Sequence, residues 1–480
     1  MKKGFKIALI SVLILLGTLM VSLALISSGK FFNGYYLGYE VNEDNETCTV
    51  TKCILFGASE MVVPDRLGRY RVTEIDSYAF ANCQGMTSLS LPNSLTNIGI
   101  GAFYECNRLT DVTIPDSVTH IDSYAFYGCS ALTGIALSER IENIGTRVFE
   151  GCTALTTATV PATAIHALPA DNISSVTVNG GTSIGEDAFL NLKSLTDITI
   201  APSVEVVDKK AFRGCENITT ATIPASAASA IPKSSLTHVV INGGTHIAER
   251  AFEYCNYLLS VTLPPSLTSI GNAAFIGCYK LAEIYNLSSI AIAKGSHDNG
   301  CIGQYALSIH TSTSEMPKTW IDEEGYLFYE DGDLCYLLGF TGAPTELSLP
   351  EDCNGKSYII REYAFYMDSG ITAITFPEGV TAIEANAFAH CRGLTEISFP
   401  KSLVSVGERA FFECDELKEI SFEKGITTIG RFAFDESYKI ERVLFNGTTA
   451  EWQQVETGTY WIDRETVTEV ICTDGVVALH

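Results

Sequence analysis

The chain has 480 residues, 46% of them apolar, and a formal net charge of −25. A chain this acidic repels phosphate backbones and anionic lipid surfaces, which disfavours nucleic-acid binding. The apolar fraction is ample for a continuous hydrophobic core.

Residues 1–30 differ from the rest of the chain. Lys2, Lys3 and Lys6 precede an uncharged apolar run over residues 7–29. This charge pattern is typical of a secretory signal peptide or of an uncleaved membrane anchor. The length of the run favours the anchor. Either alternative exports everything that follows, so we expect an extracellular or cell-surface protein that contacts the membrane through this helix only.

Residues 31–61 are predicted to form a β-hairpin. Two strand-like stretches, 35–41 and 47–54, flank the polar residues Asn42–Glu46, which have the composition of a turn. A hairpin at this point can cover the otherwise bare first coil of a repeat array.

Residues 62–286 and 346–445 repeat an Ala-Phe or Val-Phe step, mostly at intervals of 23 residues. A fixed period of this size indicates a solenoid of stacked coils. The phenylalanines of the repeat are Phe80, Phe103, Phe126, Phe149, Phe189, Phe212, Phe252, Phe275, Phe365, Phe388, Phe411 and Phe434.

Each coil has apolar residues at fixed distances from its phenylalanine. The strand-like string is exemplified by Leu109, Val112 and Ile114, in which the last two alternate with polar residues, as in a half-buried strand. An isoleucine or valine five residues before the phenylalanine, such as Ile98, predicts a second short strand. We expect Ala-Phe-x-x-Cys to form a single helical or 3₁₀ turn on the opposite side, with the phenylalanine between coils.

Two intervals of 40 residues interrupt the period, from Phe149 to Phe189 and from Phe212 to Phe252. Each contains a further strand pattern, which begins at Ile173 in one and at Leu236 in the other. Each interval is therefore predicted to hold a trimmed coil that lacks the Ala-Phe turn. Because residues 158–189 and 221–252 match closely, an internal duplication of 63 residues explains both.

Nine of the fifteen cysteines stand three residues after a repeat phenylalanine. Stacked coils place them about 4.8 Å apart, slightly too far for a disulfide, and isolated cysteines lack metal-binding spacing. We therefore predict buried structural thiols. Leu192 holds the same position in one coil, as expected if a buried hydrophobe is what is needed, whereas the exceptions Asp368 and Ser437 are expected to be exposed. A Cys48–Cys53 bridge is a further possibility. The nine are Cys83, Cys106, Cys129, Cys152, Cys215, Cys255, Cys278, Cys391 and Cys414.

Residues 287–345 separate the two arrays. The stretch 287–320 is rich in Ser, Gly and Thr and is predicted to be an irregular closing segment. A second hairpin then follows, with Asp331-Gly332 as its turn. Residues 446–480 break the period and are predicted to form a C-terminal cap.

The repeat unit resembles the BspA-like leucine-rich repeats of bacterial and some protozoan surface proteins. The resemblance rests on L-T-x-I-x-L-P-x-S-V-x-x-I-x-x-x-A-F-x-x-C, and on F-N-G-T-x-x-E-W at Phe445–Trp452. It implies an α/β leucine-rich-repeat, right-handed solenoid, with a parallel sheet of short strands on one face and short helical turns on the other. It also implies a non-enzymatic protein that binds host matrix, host cells or other microbes.

The sequence contains no recognised catalytic, cofactor-binding or metal-binding motif, so none is predicted. The candidate interaction face consists of hydroxyl and carboxylate residues in the exposed strand positions, where Glu283 also falls. Threonine suits a solvated strand on propensity alone, but such a face could receive a basic protein patch. A glycan-binding module and a structural envelope protein remain the alternatives. The candidate residues are Asp111, Thr113, Asp197, Thr199, Thr262, Glu396, Ser398, Glu419 and Ser421.

Overall fold

A computed structural model describes residues 36–54 and 58–479. The predicted signal peptide or anchor, residues 1–30, lies outside the described residues. Across the described ranges, no helix combines the length and the apolar character needed to cross a membrane.

The chain forms two compact units. Unit 1 comprises the described residues of Met1–Leu236 together with Val240–Ala248, and unit 2 comprises Thr237–Val239 and Glu249–His480. The division falls inside the segment 62–286 that the sequence predicts as one array, at the strand His238–Gly243.

Both units are stacks of short parallel strands with few helices, which confirms the predicted solenoid. One set of strands, the strand column, follows the L-x-x-L-x-L string. A second set of strands is called the isoleucine column. Nearly all of its strands end at or next to the isoleucine or valine that stands five residues before the repeat phenylalanine. Paired residues hold equivalent positions in neighbouring coils, as in Val176↔Ile198 and Ile98↔Ile121. Each strand therefore presents its apolar residues to the same core.

In unit 1 the strand column contains Glu60–Val62, Ser88–Ser90, Asp111–Thr113, Gly134–Ala136, Thr157–Val160, Ser175–Val178, Asp197–Ile200 and Thr220–Pro224. The isoleucine column contains Tyr70–Ile75, Asn97–Ile98, His120–Ile121, Asn143–Ile144, Ser183–Ile184, Val206–Val207 and His246–Ile247. The antiparallel hairpin Leu37–Val41 and Thr47–Cys53 precedes them, and Arg66–Leu67 pairs with Tyr70–Ile75.

In unit 2 the strand column contains Ser260–Leu263, Glu283–Asn286, Ser308–His310, Glu346–Ser348, Ala373–Thr375, Glu396–Ser398, Glu419–Phe422, Arg442–Phe445 and Glu469–Cys472, and Gly475–Ala478 folds back on the last of these. The isoleucine column contains Ser269–Ile270, Tyr358–Ile360, Val380–Ile383, Ser405–Val406, Thr428–Ile429 and Glu456–Thr457. Thr319–Ile321, Tyr326–Asp331 and Leu334–Phe340 form an antiparallel sheet.

Both hairpins join the isoleucine column in the same way. The second strand of each pairs in parallel with the first long strand of that column: Thr47–Cys53 with Tyr70–Ile75, and Leu334–Phe340 with Tyr358–Ile360. The segment 287–320 is more regular than expected, because Ser308–His310 in it extends the parallel sheet from Glu283–Asn286.

The Ala-Phe segments, here called the turn column, are not helical. The amides of Gly101, Phe103 and Glu105 donate to carbonyls of the next coil at 3.0, 2.8 and 2.7 Å, whereas those of Tyr104 and Cys106 close tight turns within the coil. Gly101 and Glu105 adopt left-handed φ angles of 57° and 58°. A helix would keep all these hydrogen bonds within one coil. Here every second amide bonds to the next coil, so a further hydrogen-bond ladder between coils takes the place of the expected helical turn.

The repeat phenylalanines are buried and their rings stack between coils. The ring centroids of Phe103 and Phe126 are 5.0 Å apart, and those of Phe126 and Phe149 are 5.7 Å apart. The stack breaks after Phe149, where the 3₁₀ helix Ala162–Ala167 follows the strand instead of an Ala-Phe turn. The trimmed coil predicted there is confirmed, since Ala158 pairs with Val176, 18 residues later. The other short helical segments are Ala225–Ala227 and Thr449–Trp452. The segment Asp298–Cys301 is a tight turn, in which Asn299 and Gly300 have left-handed φ angles of 48° and 67°.

The nine cysteines of the repeat are buried thiols, as predicted. The Sγ of Cys106 donates to the carbonyl of Phe80, 3.1 Å away, and other members of the column make the same contact. Ser437 was expected to be exposed, but it is only 1% exposed, and its hydroxyl donates to the carbonyl of Phe411 at 3.2 Å. Serine thus replaces cysteine as a small buried donor, whereas the buried Leu192 holds the same position in another coil without a donor.

The remaining cysteines differ from expectation at two places. Cys48 and Cys53 are buried thiols, so the possible bridge between them is wrong. Cys335 and Cys353 form a disulfide that the sequence reasoning did not anticipate. It ties the second hairpin to the segment that leads into Tyr358–Ile360.

Candidate functional site

The predicted interaction residues lie on the solvent side of the strand column, because strand side chains alternate between the two faces of a sheet. Val112 is buried between the exposed Asp111 and Thr113. Ile397 is likewise buried between the exposed Glu396 and Ser398. In these two strands the sheet thus presents hydroxyl and carboxylate groups outward.

Four of the nine residues come together in unit 2. Glu396 pairs with Glu419, and Ser398 with Ser421, in adjacent strands. The Glu419 carboxylate forms an ion pair with Arg442, which is in register with it on the next strand. The four residues, here called the acidic strand patch, therefore hold two carboxylates side by side with one cation at the edge.

The other predicted residues lie in separate places. Asp197 and Thr199 are half-buried in unit 1, where the Thr220 hydroxyl donates to Asp197 at 2.5 Å. Thr262 is half-buried in unit 2 and is in register with Tyr285. Asp111 and Thr113 are in register with Ser88 and Ser90 in unit 1.

Glu283 was expected to add acidity to the exposed face, and this is wrong. Its side chain is fully buried, and it accepts hydrogen bonds from the amides of Lys318 and Thr319 and from the Thr319 hydroxyl. His310 lies 3.0 Å from the same carboxylate, and the ring of Tyr285 stacks on that histidine. Burial raises the pKa of Glu283, but the hydrogen bonds from Thr319 and Lys318 outweigh it and hold the pKa below 4.5. Glu283 is therefore a structural anchor for the closing segment.

Unit 2 contains a tyrosine-lined pocket that the sequence did not reveal. The cavity has a volume of about 350 Å³. The rings of Tyr279 and Tyr363 stack in its wall with centroids 4.6 Å apart, and Tyr366 meets Tyr279 edge-on at 5.4 Å. Tyr254 and Met367 are more than half exposed at its border. The remaining lining residues are Asn256, Tyr257, Lys280, Phe340, Gly342, Ala343, Ala364, Phe365 and Asp368.

Two charged residues line this tyrosine pocket. The Nζ of Lys280 lies 4.7 Å from the ring centroid of Tyr257, within cation–π range. Burial lowers the pKa of Lys280 to about 8, against the opposing effect of Asp368. Burial also raises the pKa of Asp368 above 3.8, and Lys280 partly offsets that rise. Asp368, the exception to the cysteine pattern, is thus half-buried in the pocket wall.

A weak signal for this pocket exists in the sequence. Asp368 replaces the usual cysteine, and Tyr254, Tyr257, Tyr279, Tyr363 and Tyr366 all lie within five residues of a repeat phenylalanine. The turn column of unit 1 also stacks tyrosines, as in Tyr104 and Tyr127, whose ring centroids are 5.0 Å apart.

No metal centre is evident within residues 36–54 and 58–479, where no three His, Cys, Asp or Glu side chains are grouped as ligands. The model of one repeat family matches residues 68–168, 169–238, 228–301 and 346–455, and its description is a BspA-type leucine-rich repeat region. The chain belongs to the BspA-type leucine-rich repeat family. These matches cover most of both predicted arrays.

Solved structures similar to this BspA-type chain include bacterial leucine-rich proteins. A leucine-rich cell surface protein from Faecalibacterium prausnitzii is 20% identical, covering 88% of this chain and 97% of that one, with a TM-score of 0.25. A leucine-rich repeat protein from Bacteroides ovatus is 20% identical over 89% and 97%, with a TM-score of 0.30. One from Bacteroides capillosus is 28% identical over 26% and 95%, with a TM-score of 0.25. A comparison with curated proteins gave no match.

Proposed function

We propose that this BspA-type protein is a non-catalytic cell-surface protein that binds an extracellular protein ligand through its strand column. The family supports a surface interaction module. The single observation that carries the proposal is the pairing of Glu396 with Glu419 on the solvent side of the sheet. Like charges directly opposite each other destabilise a sheet. Arg442 offsets this repulsion at Glu419, and a positively charged partner would offset it at Glu396.

The acidic strand patch fits a ligand with a basic surface. Its hydroxyl groups, the exposed Ser398 and the half-buried Ser421, lie in the next outward-facing positions of the same two strands. They can donate to or accept from a partner's polar groups, while the carboxylates pair with arginine or lysine. The net charge of −25 would also speed the encounter with a basic protein at low salt.

The test compares two double variants with the same charge change. Glu396→Gln/Glu419→Gln alters the patch, whereas Glu456→Gln/Glu465→Gln alters exposed carboxylates outside the strand column. Each chain is immobilised and presented with a panel of purified matrix proteins of basic and acidic net charge. We expect salt-sensitive binding of a basic member that the patch variant weakens and the control retains. Equal binding by both variants would discard the patch as the site.

A further inference from the structure

The tyrosine pocket of unit 2 has the size and the lining of a small-molecule site. Its volume of about 350 Å³ falls within the range of roughly 300–1,000 Å³ found for ligand pockets. Half of the lining residues are aromatic, and a small number of polar groups converge on the same space, namely Lys280, Asp368 and Asn256. This combination is what fixes the orientation of a bound molecule.

The charges of the pocket argue against an ionic ligand. A cation would meet Lys280, whose ammonium group already lies over the ring of Tyr257. An anion would meet the carboxylate of Asp368 in the same partly desolvated space. A neutral molecule with several hydroxyl groups meets neither difficulty, because it can accept from Lys280 and donate to Asp368.

The aromatic wall specifies the shape of that molecule. A pyranose ring has one face of C–H groups that packs against an aromatic ring, and it directs its hydroxyl groups sideways toward polar partners. Tyr279, Tyr363 and Tyr366 offer differently oriented rings, and Tyr254 and Met367 border the pocket where it meets solvent. We propose that the tyrosine pocket binds one neutral pyranose residue of an extracellular glycan. This site is separate from the acidic strand patch and does not depend on it.

The experiment uses saturation-transfer NMR on the full chain with six probes, the α and β methyl glycosides of glucose, galactose and mannose. We expect at least one glycoside to bind with a dissociation constant of roughly 1–10 mM, as one sugar in a shallow site allows, with the strongest transfer to its ring C–H protons. Tyr366→Ala, which removes part of the wall, should weaken that binding about tenfold. Asp368→Asn should weaken it while preserving the shape of the pocket.

The controls separate a lost site from a damaged fold. Tyr104→Ala removes a stacked tyrosine from the turn column of unit 1 and should leave binding unchanged. Thermal unfolding of each variant monitors the fold, and Glu396→Gln/Glu419→Gln should bind the glycoside normally. Failure of all six probes to bind overturns the proposal. The proposal is also overturned if Tyr366→Ala and Asp368→Asn both leave glycoside binding unchanged. A third overturning result is that acetate or N-acetyl-lysine methylamide binds more tightly than any glycoside.

Discussion

The buried carboxylate of Glu283 accepts a hydrogen bond from the hydroxyl of Thr319 at 2.6 Å and another from its amide at 2.8 Å. These contacts fasten the strand Thr319–Ile321 to the strand Glu283–Asn286, although 36 residues separate the two partners. An ionised acceptor makes such bonds roughly twice as strong as neutral ones. The end of the closing segment therefore depends on one charge.

Replacing that charge should destabilise unit 2. We expect Glu283→Gln to lower the free energy of unfolding by about 3 kcal/mol, because the new amide cannot accept from all the donors around it. Urea titration followed by tryptophan fluorescence measures the loss. Glu323→Gln, an exposed change nearby, is the control, and an equal effect of both variants would contradict the anchoring role.

The same residue predicts a pH dependence. Folding holds the pKa of Glu283 below 4.5. The ionised carboxylate therefore contributes its full stabilisation above the pKa of the unfolded chain, and this stabilisation is lost as the pH falls through the pKa of the folded chain. The wild-type chain should therefore lose more stability than Glu283→Gln between pH 5 and about pH 3. Parallel curves for the two proteins over this range would refute the assignment.

The cysteine column should tolerate serine better than alanine. Ser437 already occupies this position, buried and donating to Phe411. Cys106→Ser should therefore be more stable than Cys106→Ala by about 1 kcal/mol, since only serine keeps a donor for the Phe80 carbonyl. Urea titration gives the comparison, and an alanine variant at least as stable as the serine variant would show that the hydrogen bond is unimportant.

Buried thiols of the repeat should resist alkylation in the native protein. Burial raises the pKa of Cys152 and of Cys414 to about 12, so at pH 8 roughly one in ten thousand is the reactive thiolate. Cys301 is only half-buried and should be labelled first by iodoacetamide. Peptide mapping after native labelling identifies the order, and rapid labelling of Cys152 or Cys414 would rule out their buried role.

The phenylalanine stack should be weaker at its end than in its middle. Phe126 stacks on a ring on each side, whereas Phe149 borders the trimmed coil, which lacks the Ala-Phe turn. Phe126→Leu should therefore cost about 0.5–1.5 kcal/mol more than Phe149→Leu, the value of one aromatic pair. Chemical denaturation of both variants tests this, and equal losses would assign the stabilisation to burial alone.

Lys280 should make the stability of unit 2 increase with pH. Its pKa falls from 10.5 to about 8 on folding, so between these values the unfolded chain binds more protons and unfolding becomes less favourable as the pH rises. The neighbouring Asp368 opposes the shift without abolishing it. The wild-type chain should gain stability relative to Lys280→Met between pH 8 and 9.5. A constant difference over that range would exclude a partly desolvated ammonium.

The coil and its core could be predicted from the sequence, because the same residue types recur at the same repeat positions and are buried there in each coil. Phe103, Ile121 and Cys129 are each at most 1% exposed, in the positions that the period assigns. The conformation of the turn column could not be predicted, since left-handed residues are usually glycine or asparagine. In this chain Glu105 and Tyr124 adopt them, and the hydrogen bonds to the next coil compensate for the strain.

The surroundings of the candidate residues were predicted less well than the scaffold. Alternation along each strand correctly placed Glu396 and Glu419 on the solvent side, because that depends on local geometry alone. The burial of Glu283 depends on Thr319, and the tyrosine pocket depends on residues that are as far apart as Tyr254 and Tyr366. Such contacts arise from how the closing segment and the second hairpin fold back, which the period does not encode.

The hydrogen-bond ladder of the turn column bears on how this chain can change over generations. Neighbouring coils are joined by backbone hydrogen bonds, such as the one from the Phe103 amide to the Ala125 carbonyl. Every residue type has the carbonyl, and every type except proline has the amide N–H. Mutations in the exposed side chains of a coil therefore leave its attachment to its neighbours intact. Natural selection can act on the exposed surface one coil at a time, and a lineage can change the groups on that surface without rebuilding the scaffold that presents them.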